Sequence, residues 1–103
     1  MEKFFNPRSI AVIGASENEK KVGGMILENI LRAGFDGSVF PVNPKGGKIC
    51  GLPVLATVGE IDQPVDLAII ALPAEKVAET VRQCGEKKEP ISHIIIVSAG
   101  FSE

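Results

Sequence analysis

Ser9-Ile10-Ala11-Val12-Ile13-Gly14-Ala15-Ser16 decides the fold. The apolar part is short and rich in β-branched residues, has no polar alternate position, and stops at a glycine. A strand buried on both faces reads this way before a tight turn, and such strands belong to parallel sheets covered by helices. Ala15 to Lys21 is polar and aperiodic, a loop leading into Val22-Gly23-Gly24. Met25, Ile26, Ile30 and Leu31 then recur at helical spacing, so a helix follows. Gly34 suits the left-handed residue past its end, and Asp36-Gly37 adds a turn before a second strand, Ser38-Val39-Phe40-Pro41-Val42. Proline cannot donate to a ladder, which places that strand near an edge or makes it irregular at Pro41.

Further along, Leu52-Pro53-Val54-Leu55 reads as a short edge strand and Val65 to Leu72 as another buried strand closed by Pro73. Ala74 to about Lys88 is an amphipathic crossover helix, with Val77, Val81 and Cys84 on one stripe. After Glu89-Pro90, His93-Ile94-Ile95-Ile96-Val97 forms a last strand, expected to be buried. This order implies an α/β fold: a Rossmann-like open, mainly parallel sheet with helices on both faces. Ligands of such sheets bind beyond the carboxyl ends of the strands. Those ends are Gly14-Ala15-Ser16, Val42-Asn43-Pro44-Lys45, Ala71-Leu72-Pro73 and Val97-Ser98-Ala99-Gly100.

A length of 103 residues suits one domain and is small for a complete two-substrate enzyme. The chain stops just after a strand that a helix would normally cover, which suggests a domain, 1–103, cut from something longer. A net charge of −2 argues against a broad nucleic-acid footprint, so any anion site must be local. No run resembles a signal peptide or a membrane span, and a cytoplasmic protein without a membrane or nucleic-acid partner is expected. Cys50 and Cys84 are isolated thiols without metal spacing, read as structural or incidental.

The chemistry lies in two glycine-bearing loops. Gly14-Ala15-Ser16 followed by Gly23-Gly24 would let backbone and a helix N-terminus approach a phosphate. The lesser alternative is that the same glycines serve a turn and close helix-to-sheet packing. A nicotinamide-binding unit places an acid at the end of its second strand, to bond the ribose hydroxyls. Here that corner reads Asn43-Pro44-Lys45-Gly46-Gly47-Lys48, which suits a phosphorylated sugar instead. Either Lys45 or Lys48 could meet the phosphate, and Leu72 and Pro73 could wall an adenine ring. A P-loop is missing, the serines lack a nucleophile-elbow setting, and the lone His93 reads as scaffolding. Asp66 and Glu60 precede a strand, at the end away from the ligand.

Ile10 to Ser16, Val22-Gly23-Gly24, Phe40 to Pro44, Gly51 to Val54, Asp66 to Ala74 and Ser98 to Glu103 together resemble the N-terminal CoA-binding domain of NDP-forming acyl-CoA synthetases. The succinyl-CoA synthetase α-subunit is similar. The likeness runs in order over nearly the whole chain. It implies coenzyme A as ligand, held by its ADP moiety, in an enzyme that couples acid, CoA and NTP to acyl-CoA, NDP and phosphate. The phosphohistidine chemistry would fall to other domains or subunits, so this chain would carry no catalytic residue of its own. By the same resemblance the turn at Gly14, Ala15 and Ser16 contacts the CoA phosphates, and Lys45 carries over as the basic residue after the second strand. Val97, Ser98 and Ala99 would line the site. Ser98-Ala99-Gly100 stands where the succinyl-type subunit has Thr-Glu-Gly. The rival readings are a stand-alone regulatory or carrier CoA-binding protein and an NADP-binding oxidoreductase domain.

Overall fold

The structure, a computed structural model, describes residues 6–97. β1 (Ser9–Ile13), β2 (Ser38–Val42), β5 (Leu67–Ile70) and β6 (His93–Ile96) form one sheet in the order β2-β1-β5-β6, every pairing parallel. α1 (Val22–Arg32) connects β1 to β2, and α2 (Val77–Gly85), preceded by a 3-10 turn at Ala74–Lys76, connects β5 to β6. The Rossmann-like architecture expected from sequence is present.

Alternation along β1 divides the core between the two faces. Ala11 and Ile13 pack with Ala68, Ile70 and Cys84 beneath α2, whereas Ile10 and Val12 pack with Leu67 and Leu27 beneath α1. Leu27 is fully buried and contributes about 2 kcal/mol through that burial. Gly34, at φ 77, ends α1: its N–H donates to the Leu31 carbonyl and that of Phe35 to the Ile30 carbonyl. This paired closure is the Schellman arrangement.

Pro41 lies on an edge strand, as its missing N–H requires. Leu55 bonds alongside it, its N–H to the Pro41 carbonyl at 3.0 Å and its carbonyl accepting from Asn43 N–H at 2.9 Å. The expected strand over 52–55 is otherwise different. β3 (Lys48–Ile49) and β4 (Leu52–Pro53) make a small antiparallel hairpin, turned by Cys50 at φ 53 and Gly51 at φ 80. Two successive left-handed residues give the primed turn whose twist matches a hairpin.

The last strand departs from expectation. Its neighbours among the described residues lie on the β5 side only, and Ile95 and Ile96 are 50% and 52% exposed. An isoleucine run carries the hydrophobicity of a buried strand whether or not anything covers it, so periodicity alone misreads it. His93, expected to be buried, is likewise exposed, with Nδ1 3.2 Å from Ser92 Oγ. The second helix is shorter than expected: the α-helix ends at Gly85, before Glu86.

Cys84 is buried in the core and Cys50 is exposed on the hairpin. Burial pushes the Cys84 thiol up, leaving less reactive thiolate at neutral pH. A disulfide-exchange reagent should therefore titrate one thiol rapidly in the native chain and the second only after denaturant is added. Two equally fast thiols would contradict this placement.

Candidate functional site

The chain order creates the site. From β1 it runs outward to β2 and then returns to β5 on the other side of β1, so the loops after β1 and β5 diverge and leave a crevice. A cleft of about 970 Å³ occupies that point. Its volume suits a nucleotide-sized ligand.

One wall is the segment between β1 and α1. Gly14, at φ 96, donates its N–H to the Val42 carbonyl at 2.9 Å. Ser16 Oγ accepts from Asn18 N–H at 3.0 Å, and Asn18 Oδ1 accepts from Lys20 N–H at 2.9 Å. These side-chain turns wind the loop expected to be merely polar, and they bring Lys20 and Lys21 to the cleft at the mouth of α1. α1 has no side-chain cap and no acid in its first turn. Val22 and Gly23 also line the cleft, so the positive end of the helix dipole faces it.

The glycines here are needed for packing. A Cβ on Gly23 would lie 1.9 Å from the Gly14 carbonyl oxygen, and one on Gly24 2.2 Å from the Asn18 carbonyl oxygen. Gly24 is buried and does not reach the cleft; the packing reading applies to it. Ala15 is also buried, and its carbonyl accepts from Asn43 Nδ2 at 2.8 Å.

The opposite wall follows β2. Asn43, Lys45 and Gly46 line the cleft, whereas Pro44 and Lys48 are exposed outside its lining. Of the two candidate lysines, the structure brings only Lys45 to the cleft. Ala71, Leu72 and Pro73, after β5, supply an apolar side, joined by Ile49. Among the described residues the charged lining is thus Lys20, Lys21 and Lys45 against a single acid, Glu17. Lys20, Lys21 and Asn18 were not singled out from sequence. The signal was available, because residues just before a helix that follows a strand must sit at the strand's carboxyl end.

Val97 follows β6 and donates its N–H to the Ile70 carbonyl at 2.8 Å, away from the cleft lining. Ser98 and Ala99 lie outside the described residues. Asp66 accepts from Arg8 N–H at 2.7 Å and Glu60 from Ala56 N–H at 3.1 Å, so both serve the scaffold. A second depression of about 590 Å³ lies between the residues around Ile61 and the end of α2, not at the carboxyl ends of the strands. Lys87 Nζ, in its lining, is spent on the Ile61 carbonyl at 2.7 Å. Among the described residues no group of His, Cys, Asp or Glu could hold a metal ion, and no helix is long and apolar enough to cross a membrane.

Residues 8–103 match the family model described as "CoA binding domain". The chain is 45% identical over its whole length to acetate–CoA ligase [ADP-forming] I of Archaeoglobus fulgidus, of which it covers 14%. It is 40% identical to the α-subunit of acetate–CoA ligase [ADP-forming] I of Pyrococcus furiosus, covering 23%. Among solved structures, the dinucleotide-forming acetyl-coenzyme A synthetase 1 of Ca. Korarchaeum cryptofilum superimposes with a TM-score of 0.87 at 37% identity, over 94% of this chain and 20% of that one. A conserved hypothetical protein of Pyrococcus furiosus gives 0.79 at 30% identity and is covered to 78%. The chain therefore spans less than a quarter of the ligases it matches.

Proposed function

The chain belongs to the CoA binding domain family, and from that membership we propose that its cleft holds the ADP moiety of coenzyme A for an ADP-forming acyl-CoA synthetase. The parent enzyme would convert acid, CoA and ATP to acyl-CoA, ADP and phosphate, with the phosphohistidine chemistry in its other domains or subunits. Residues 1–103 act as the unit that binds and orients CoA.

The observation that carries this reading is the charge of the cleft: three lysines and an uncapped helix end face it, with no acid after β2. Pyrophosphate fits the mouth of α1, where the N–H groups of Val22 and Gly23 and the hydroxyl of Ser16 can donate. The ribose then falls toward the end of β2, where Lys45 meets a 3′-phosphate that NAD lacks. Leu72 and Pro73 offer the adenine an apolar surface.

Isothermal titration of CoA, dephospho-CoA, NADP and NAD tests this. CoA should bind tightest, with dephospho-CoA weaker by about tenfold, the worth of one charge-assisted contact. NAD binding as tightly as CoA would overturn the assignment. The short Pyrococcus furiosus protein, most of which this domain covers, favours a second reading: a stand-alone carrier or regulatory CoA-binding unit. Reading the gene past Glu103 separates the two.

A further inference from the structure

Asn43 sits at the corner where β2 ends, half-buried and lining the cleft. All its polar groups have protein partners. Nδ2 donates across the corner to the Ala15 carbonyl at 2.8 Å, and Oδ1 accepts from Lys45 N–H at 2.9 Å. Its own N–H donates to the Leu55 carbonyl, and its carbonyl accepts from Gly46 N–H, both at 2.9 Å. One amide thus bolts the backbone of Lys45 to the turn between Gly14 and Ser16. At its far end the loop is held by Val54 N–H, which donates to the Gly47 carbonyl at 2.9 Å; between the two anchors Gly46 and Gly47 are left-handed at φ 66 and φ 86, and a Cβ on either would meet nothing within 4 Å.

Resting on the CoA reading above, we propose that Asn43 is a positioning residue: by tying Lys45 to the β1 turn, it sets the preference of the cleft for a ligand phosphorylated on the ribose. A lysine carried by a loosened glycine loop must be ordered when the phosphate arrives. That cost lowers affinity for CoA and leaves a ligand without the 3′-phosphate much less affected. Asn43 thereby acts on selectivity through Lys45.

The test compares CoA and dephospho-CoA affinities in the wild type, Asn43→Ala, Asn43→Ser, Lys45→Gln and the Asn43→Ala/Lys45→Gln pair. A serine can still accept from Lys45 N–H but cannot reach Ala15. Both Asn43 variants should reduce the preference for CoA over dephospho-CoA by about fivefold, about 1 kcal/mol of ordering. On the Lys45→Gln background, Asn43→Ala should leave that preference unchanged. Thermal melts identify a variant that fails to fold, and Asn43→Ser, which keeps one of the two side-chain bonds, then supplies the measurement. Equal weakening of both ligands, an unchanged preference, or a full further loss in the double variant would overturn the role of Asn43 alone. A wild-type chain that binds NAD as well as CoA would overturn the cleft reading itself.

Discussion

Gly23→Ala is expected to lower the melting temperature by about 12–24 °C, the equivalent of about 3 kcal/mol in a domain of this size. The added methyl would stand 1.9 Å from the Gly14 carbonyl oxygen and 2.7 Å from its carbon. Both are backbone atoms of the turn that follows β1, so no side chain can swing aside. α1 would have to lift off the sheet, taking the fully buried Leu27 with it. The same substitution at Gly85 provides the control: nothing lies within 4 Å of a Cβ there, and alanine's helix propensity should raise stability by about 0.5–1 kcal/mol. Thermal denaturation followed by circular dichroism reads both. If Gly23→Ala melts within a few degrees of the parent, the close contact between helix and turn is wrong.

Lys45→Glu is expected to weaken CoA binding by more than about a hundredfold, or about 3 kcal/mol. The change removes an attractive contact and sets a like charge against the 3′-phosphate. It would also leave the lining with two lysines and two acids. Lys48→Glu reverses the same charge outside the cleft lining, where solvent and salt screen it, and should cost only a few-fold. Titrations at two ionic strengths would separate contact from field. Equal losses for the two variants would show that the loop acts as a diffuse basic patch.

These two residues illustrate what the sequence could and could not disclose. β1, α1 and β2 were legible almost to the residue because hydrophobic pattern, a terminal glycine and a proline all carry local information. The glycines of the first loop were ambiguous in sequence between phosphate approach and packing. Only the position of the Gly14 carbonyl beneath α1 reveals why Gly23 has no side chain. The choice between Lys45 and Lys48 was likewise invisible, since the hairpin of β3 and β4 that carries Lys48 away is set by the left-handed pair Cys50 and Gly51. The exposure of β6 depends on what lies beside it in space, which no periodicity encodes. Asn43 was legible as a site residue, and its bond along to Lys45 is a local side-chain turn, but its bond across to Ala15 arises from the register of β1 on β2.

The central place of β1 governs the order in which the molecule can be made. Its first partner, β2, arrives within thirty-odd residues through α1, but its second, β5, begins at Leu67. Until Leu67 and the residues after it have been made, one flank of β1 has no partner, and Ala11 and Ile13 lack Ala68 and Ile70. Closing that flank is a long-range parallel pairing, the slow kind of contact, and it is the step that joins the phosphate turn to the apolar wall at Leu72. The ligand crevice thus cannot be complete before β5 has paired with β1, and a chain that stops short of Leu72 has no apolar wall to offer.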